Sequence, residues 1–503
     1  MLSVLIWGPI LGAVLLACIP VRPAERTTRP LAMVIAGSLL VWSLWLLIGR
    51  FDLANGSGQF QESLAWISAL GLNYSLGVDG LSLPLVVLNT LLTWVAIYST
   101  PQSVLRPRLY HVLILLTSAG MTGALVAQNT LLFVLFYELE LIPLYLLLAI
   151  WGGPRREYAA IKFLIYTALS GILILGAFLA TTWLSGAPSF DLAVVSSYIN
   201  RLAPATQLTL VVVLLLGFGI KAPLVPLHTW LPDAYGEASP PVAMMLGGVL
   251  AKLGTYGLVR FGLQLFPDAW TTLAPTLAIW GTVCVLFGAL TAIAQKDIKR
   301  MVAYSSVGHM GYVLFACAVG TPLALTGAMG QMVAHGLILA ILFHLVGVVE
   351  LKVGTRELDV LNGLLNPLRG LPSISALLVL GGMASAGIPG MVGFVAEFLI
   401  FQGSYATFPL LTLLCVAGTG LTAVYFVILL NRTCFGKLDN ATAYYPPVVW
   451  AEKAPALVLM GLILFLGLQP TWLVRWSEPT AIALGRPLTT ATLPAPSSIA
   501  TPS

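Results

Sequence analysis

The stretches GFGIKAPLVPLHTWLP (217–232) and MASAGIPGMVGFVAEF (383–398) decide how this chain folds. Each is apolar enough to be part of a membrane helix, yet each carries prolines and glycines near one ionisable residue, Lys221 or Glu397. Proline removes a backbone donor and disfavours helix just before it. Interrupted apolar segments at corresponding places in two halves are typical of inverted repeats with a site near mid-membrane. Ordinary helix kinks are the alternative interpretation.

The composition of the whole chain places these stretches in a membrane. Of the 503 residues, 58% are hydrophobic and 9% are charged, whereas a soluble protein carries roughly 25% charged residues. The mean hydropathy is +0.95. A soluble multidomain enzyme is excluded, because so few charges cannot cover a water-exposed surface. The five cysteines form no CxxC or Cys/His cluster, so we expect no metal and no cofactor in this chain.

Apolar runs bounded by proline, glycine or charged residues predict an all-α polytopic membrane protein. A span needs about 20 apolar residues, and the sequence accommodates about fourteen transmembrane helices. The interrupted segments fall in the seventh and twelfth, so the fourth to eighth and the ninth to thirteenth helices each form a five-helix unit with a broken fourth member. The predicted helices, α1 to α14, cover residues 1–20, 31–49, 80–99, 110–127, 129–151, 161–184, 207–226, 241–265, 272–293, 300–319, 324–350, 373–401, 408–431 and 454–474.

This pattern divides the chain into five parts. Residues 1–109 hold α1 to α3 and an outer loop, and residues 432–478 hold the last helix. The two inverted repeats cover 110–265 and 272–431. The tail, 479–503, is rich in Ser, Thr, Pro and Ala, and we expect it to be disordered.

The basic residues predict the orientation of the chain. Loops after odd-numbered helices hold seventeen of the 24 lysines and arginines, and the opposite loops hold five. Because basic loops face the cytoplasm, both termini and the polar stretch 51–79 are predicted to face away from it. The seventeen are Arg22, Arg26, Arg29, Arg106, Arg108, Arg155, Arg156, Lys162, Lys296, Lys299, Arg300, Lys352, Arg356, Arg369, Arg432, Lys437 and Lys453; the five are Arg50, Arg201, Arg260, Arg475 and Arg486.

Ionisable residues inside predicted spans are the candidate site residues. A charged side chain at a helix centre costs about 2.5–3.5 kcal/mol on insertion scales. Since burial disfavours the charged form, such groups can exchange protons near neutral pH, and a set of them on several helices suits a proton relay. The structural alternatives are a lysine that reaches the membrane surface and a histidine that only packs. The candidates are Glu138, Lys221, Lys252 and Glu397, joined by His309 and His335.

Three further polar residues are assigned lesser roles. Glu140, two residues after Glu138, points to a different face of α5 and is interpreted as interfacial. His344 is interpreted as a packing residue. Asp79, at the start of α3, is predicted to cap that helix and anchor it. No Ser/His/Asp grouping and no glycine-rich phosphate loop is present in the sequence.

At these residues the chain resembles the antiporter-like membrane subunits of complex I and of Mrp-type sodium/proton antiporters. Within that group it is similar to the chain-4 (D-type) subunit of type-1 NAD(P)H dehydrogenase. The matching stretches run in order through nearly the whole chain. They are GVDGLSLPLVVL (77–88), FYELELIPLYLLLAIWGG (136–153), KFLIYT (162–167), KAPLVPLHTWLPDAYGEASPPV (221–242), AKLGTYGLVRF (251–261), AQKDIKRMVAYSSVGHMGYV (294–313), AHGL (334–337), GIPGMVGFVAEFLIF (387–401) and NRTCFGK (431–437).

The resemblance implies two inverted repeats and proton transfer through polar residues and water at mid-membrane. By motif, Glu138 is the carboxylate of α5, Lys221 is its partner, and Lys252 is the central lysine of α8. Glu397 is then the exit group, and His309 and His335 match the family's histidines. The resemblance also implies a proton-pumping oxidoreductase subunit with no redox chemistry of its own. We expect the plastoquinone, the NAD(P)H or ferredoxin, and the iron–sulfur clusters in neighbouring subunits.

Two stretches depart from the common D-type pattern, residues 235–257 and 343–372. Both resemble the cyanobacterial variant found in complexes that drive CO2 uptake. This likeness implies a thylakoid membrane, photosynthetic electron transport and termini on the lumenal side. The expected partners are other membrane-arm subunits, a CO2-hydrating subunit and lipids, with no nucleic acid.

Three other functions stay open at this point. The chain could be a sodium/proton antiporter subunit of Mrp type or of a membrane-bound hydrogenase, since nearly the same core residues would serve. It could be a docking scaffold for a CO2-hydrating subunit that no longer pumps, although retention of all four Glu and Lys positions argues against that. A free-standing transporter of an organic substrate is the third.

Overall fold

The structure, a computed structural model, describes residues 1–368, 370–437 and 445–492, without the side chains of residues 21–26 and 486–492. Twelve helices in these ranges are long and apolar enough to cross a membrane. These twelve helices, with the shorter apolar α1 and the two shorter apolar halves of α12, coincide in order with the fourteen predicted spans. The prediction of an all-α polytopic membrane protein is confirmed. The helices are α1 Leu2–Ala17, α2 Val21–Gly49, α3 Ser82–Ser99, α4 Pro107–Val126, α5 Thr130–Leu139 and Leu141–Trp151, α6 Arg156–Ser185, α7 Pro204–Lys221, α8 Pro240–Leu263, α9 Pro267–Ile293, α10 Ile298–Val319, α11 Pro322–Val353, α12 Pro372–Ser385 and Val392–Ser404, α13 Pro409–Thr433, α14 Trp450–Leu468 and α15 Pro470–Thr492.

Both predicted interruptions are present. Helix α7 ends at Lys221, and a turn leads to a short helix, Leu231–Glu237, that precedes α8. In α12 the two halves are separated by residues 386–391, where Gly387 adopts a φ of +70°. A side chain is strained in that left-handed region, so glycine permits the helix to stop and restart there. Whether the two five-helix units are related as inverted repeats stays a prediction.

Helices α8 and α11 form the centre of the protein. The most apolar windows of both are wholly buried. Helix α8 also contains two π-helical turns, Leu246–Leu250 and Leu258–Leu263. A π-turn interrupts the regular pattern of backbone hydrogen bonds and recurs at functional sites. Gly247 lies in the first of these π-turns. Its carbonyl accepts a hydrogen bond from Lys252 Nζ, so the turn supplies a backbone acceptor for this lysine.

The polar stretch 51–79 forms an antiparallel hairpin that the sequence analysis did not predict. Its strands are β1, Gln59–Ile67, and β2, Leu72–Val78. The amino terminus of Met1 pairs with the carboxylate of Glu62 in β1. The backbone N–H of Gly80 donates to Thr480 Oγ1 of α15 at 3.0 Å. The amino terminus, the hairpin and α15 therefore share one side of the protein, which we call the outer side after the predicted orientation.

The prediction of a disordered tail is wrong for residues 479–492. Helix α15 continues to Thr492, and residues 493–503 lie outside the described part of the chain. Leu473 and Ala481 are buried, so one face of this helix packs on the protein. The Ser, Thr and Pro content of the tail hid this apolar face.

Candidate functional site

Lys221 lies at the last position of α7 and forms a buried ion pair with α5. Its Nζ is 2.6 Å from Glu140 Oε1, and the two side chains are 1% and 0% exposed. The Tyr137 ring lies 3.9 Å below the same ammonium. The carbonyl end of a helix favours a cation, so the position of Lys221 supports its charge.

This contact corrects the assignment of Glu138 as the partner of Lys221, and of Glu140 as interfacial. Helix α5 is interrupted at Glu140, between Leu139 and Leu141. Successive residues of a helix are turned by about 100°, so two residues apart face nearly opposite ways. In the structure the two carboxylates contact different neighbours, and Glu140 is the one that contacts Lys221 of α7.

Glu138 instead faces α6. A Cβ added at Gly171 would collide with the Glu138 carboxylate, so the absence of a side chain at Gly171 provides the space for it. Among the described residues, Glu138 Oε1 is buried without a hydrogen-bond partner. This oxygen of the partly buried side chain therefore has no matching donor in the described part of the chain.

The second lysine begins a separate polar cluster. Lys252 Nζ is 2.8 Å from His335 Nδ1, and both residues are at most 2% exposed. The rings of His335 and His309 follow, with centroids 5.1 Å apart. Helices α8, α11 and α10 thus supply three proton-exchanging groups in a row.

The row ends at the carboxylate of Glu397 on α12. His309 Nδ1 is 3.5 Å from Glu397 Oε1 and 3.1 Å from the amide nitrogen of Gln331. Thr419 donates to Glu397 Oε2 at 3.0 Å, and Tyr312 lies 2.9 Å from the same threonine hydroxyl. Each group in this cluster has a neighbour that can give or take a proton.

Four of the six predicted site residues are therefore brought into one cluster, Lys252, His335, His309 and Glu397. Lys221 and Glu138 lie apart from it, and within the described ranges no direct hydrogen bond joins Lys221 to Lys252. Sequence reasoning missed Gln331, although its spacing of four residues from His335 places both on one helix face. Tyr312 could have been predicted in the same way, because it follows His309 by three residues and so lies on the same face of α10.

Aromatic rings close the outer half of the protein above Lys221. The ring centroids of Phe133 and Phe261 are 4.7 Å apart, those of Phe178 and Phe261 4.8 Å, and those of Phe133 and Tyr137 5.2 Å. Phe218 packs on the same group. Such a packed apolar layer excludes water, so Lys221 has no direct polar route to the outer side through these rings.

On the opposite side, an ion-pair network holds the short helix that follows the break in α7. Asp233 is 2.8 Å from Lys162 Nζ and 3.0 Å from Arg300 Nη1. Burial raises the pKa of Asp233, but the hydrogen bonds from these two cations outweigh it and hold the pKa below its usual value. Nearby, the buried ring of His228 has an Nδ1 with no partner in the described ranges.

Asp79 and His344 are structural in their contacts. Asp79 Oδ1 accepts the N–H groups of Leu81 and Ser82 at 3.1 Å. It therefore anchors the start of α3 as predicted, although the N-cap position itself is Leu81. Both oxygens of its carboxylate also accept hydrogen bonds from Arg260 Nη2, Oδ1 at 2.8 Å and Oδ2 at 2.7 Å. The sequence did not indicate this partner. His344 is bound to the carbonyl of Glu452 at 2.7 Å and belongs to the packing of α14.

The sequence from residue 127 to residue 422 matches the family described as NADH:quinone oxidoreductase/Mrp antiporter, TM. The chain is 40% identical over 500 residues to NAD(P)H-quinone oxidoreductase chain 4 1 of Synechococcus sp. (strain JA-3-3Ab), covering 97% of this chain and 94% of that protein. It is 39% identical over 496 residues to the protein of the same name from Nostoc sp. (strain PCC 7120 / SAG 25.82 / UTEX 2576), covering 96% and 90%.

Solved membrane complexes contain chains of the same fold. A chain of respiratory complex I from Thermus thermophilus with bound NADH superposes with a TM-score of 0.87 at 27% identity, covering 97% of this chain and all of that chain. A chain of the Mrp complex from Dietzia sp. DQ12-45-1b gives a TM-score of 0.85 at 22% identity, covering 97% and 98%. The second likeness concerns the fold alone.

Proposed function

This chain belongs to the NADH:quinone oxidoreductase/Mrp antiporter family of membrane subunits, and we propose that it moves protons across the membrane through a Lys252–His335–His309–Glu397 relay. Its likeness to a chain-4 subunit extends over nearly its whole length. The observation that carries the proposal is the row of four proton-exchanging groups on four helices. The relay moves protons when quinone is reduced elsewhere in a complex I-type assembly.

Protons enter from the predicted cytoplasmic side at the break in α7. There the backbone is not helical between Lys221 and the short helix Leu231–Glu237, which leaves polar groups and room for water. Lys221 takes the proton and is held by Glu140. Because the aromatic layer around Phe261 closes the outer half above it, the proton moves sideways to Lys252 through water.

From Lys252 the proton passes to His335 along the 2.8 Å contact and then to His309. When neutral, His309 accepts a hydrogen bond at Nδ1 from the amide of Gln331. When protonated, both its ring nitrogens donate, and Nδ1 lies 3.5 Å from Glu397. A small movement or one water closes that gap, and Glu397 releases the proton to the outer side.

Glu397→Gln is expected to lower the rate of proton transfer through this chain by about 10²-fold or more, because positioned acid–base groups contribute typically 10²–10⁴-fold. Glutamine keeps the size of the side chain and can still accept from Thr419, but it cannot carry a proton. The measurement is dye-reported proton uptake per electron in vesicles that contain the assembled complex.

Glu357→Gln serves as the matched control. This carboxylate is exposed and distant from the relay in the fold, so the same change there should leave proton uptake as in the wild type. Normal proton uptake by Glu397→Gln at normal assembly would remove Glu397 from the pathway.

We also propose that the assembly is the cyanobacterial CO2-uptake form, in a thylakoid membrane with both termini lumenal. The support is the departure of residues 235–257 and 343–372 from the common D-type pattern. Purification of a tagged chain in mild detergent is expected to bring with it complex I-type membrane subunits and a CO2-hydrating protein, identified by mass spectrometry. Complex I-type subunits alone would indicate the respiratory form, and Mrp-type partners would favour the sodium/proton antiporter.

A further inference from the structure

Two carboxylates of α5 are close in the chain to the aromatic ring that lies beneath Lys221. Tyr137 lies directly under the ammonium of Lys221, with Glu138 next to it in the chain and Glu140 three residues on. Glu140 holds Lys221, whereas Glu138 lies against Gly171 of α6. Lys221 Nζ is 2.6 Å from Glu140 Oε1, whereas Glu138 Oε1 is buried without a hydrogen-bond partner among the described residues. One carboxylate beside the Tyr137 ring is therefore paired with the ammonium, and the other is not.

The helices around this pair are tied together by hydrogen bonds. Tyr137 OH lies 2.9 Å from Ser170 Oγ, and that hydroxyl donates to the carbonyl of Gly217 at 2.7 Å. Ser170 belongs to α6 and Gly217 to α7, so one hydroxyl network spans three helices. The ring beneath Lys221 is therefore held in place by both neighbouring helices.

An unpaired buried carboxylate is costly. Removing one partner of a buried ion pair is strongly destabilising, because the remaining charge is left uncompensated. Glu138 and Glu140 share one cation, so a second negative charge beside the pair would stand uncompensated. A single proton carried by whichever carboxylate is not paired removes that charge.

We propose that Glu138 and Glu140 are alternating partners of Lys221. In the arrangement described here Glu140 is ionised and bound to Lys221, and Glu138 carries a proton. When the ammonium moves to Glu138, that proton passes to Glu140, so one carboxylate loses the proton that the other gains. This exchange rests on the proposed function, and it gives Lys221 two stable positions instead of one bound and one free state.

The test is a set of variants in the assembled complex, measured by proton uptake per electron. Glu138→Gln and Glu140→Gln keep size and polarity but remove one of the two positions. Each single change is expected to reduce proton transfer through this chain at least tenfold, nearly as much as the double change does, because a two-position switch fails when either position is lost. Groups that act as a unit show such non-additive losses.

Gly171→Ala tests the position of Glu138 without changing a charge. The added methyl group would displace the Glu138 carboxylate, so proton transfer should fall while Glu140 is intact. Gly176→Ala is the matched control on the same helix, since a Cβ there meets no atom within 4 Å. The control should transfer protons as the wild type does.

Wild-type proton transfer in either single glutamine variant, at normal assembly, would overturn the exchange. Mild single effects with a severe double effect would also overturn it, because they indicate that either carboxylate suffices. Lys252→Met in the same assay separates this result from failure of the proposed function. If Lys252→Met also transfers protons normally, the proposed relay is wrong. If Lys252→Met loses proton transfer, the relay stands and only the exchange between Glu138 and Glu140 is wrong.

Discussion

Lys252→Met is expected to reduce proton transfer through this chain by about 10²-fold or more, the lower range for positioned acid–base groups. Lys252 is the first group of the relay cluster, and its Nζ lies 2.8 Å from His335 Nδ1. Methionine fills a similar volume but carries no proton. Replacing a buried lysine with an apolar residue also removes a buried charge, so the variant should assemble. Dye-reported proton uptake in vesicles measures the reduction in proton transfer.

A second lysine provides the control for this prediction. Lys296 is exposed, 77% at its side chain, and its only ion pair in the described ranges is a 3.6 Å contact with Asp359. Lys296→Met should therefore leave proton uptake unchanged. If Lys252→Met retains wild-type uptake with the complex intact, proton transfer takes another route.

Asp79→Leu is expected to destabilise the chain by about 3–5 kcal/mol, the usual result of removing one partner of a buried ion pair. Arg260 would keep its charge in a site where it is 3% exposed. The first turn of α3 would also lose the acceptor for two backbone N–H groups. The thermal midpoint of the purified complex, and the amount of the chain assembled, measure the effect.

The double variant Asp79→Leu/Arg260→Met distinguishes the ion pair from simple packing. Replacing both partners with apolar residues is often neutral or stabilising, so the double variant should be more stable than Asp79→Leu alone. Equal destabilisation of the single and double variants would mean that the capping contacts of Asp79, and not its pair with Arg260, hold this region.

The spans and their breaks were predictable because they depend on local composition. A segment that crosses lipid must satisfy its backbone hydrogen bonds internally, so it is helical. It must also be apolar over about 20 residues, so each predicted span appears in the sequence as an apolar run. Proline and glycine mark where α7 and α12 stop, since the backbone geometry of those residues acts locally. Lys252 and Glu397, two residues of the proposed relay, were predictable because an ionisable residue inside an apolar span is costly and therefore rare.

What could not be predicted depends on how segments face one another. The hairpin of residues 59–78 was missed because β1 is largely exposed, so its side chains show no clear buried face, and the stretch was interpreted as a loop. Helix α15 was missed because its apolar residues are spaced along one face among polar ones. In both segments the stabilising contacts come from distant parts of the chain, such as the bond from Gly80 to Thr480.

The amino-acid sequence by itself determined that this protein is an all-α polytopic membrane protein with lysines and carboxylates inside its apolar spans. Only the tertiary structure decided that Glu140, and not Glu138, faces Lys221, and that Lys252 joins His335, His309 and Glu397. The physical reason is that a residue's position along a helix gives its depth, whereas its partner depends on how the helix is rotated and broken against its neighbours. In α5 the interruption at Glu140 sets that rotation.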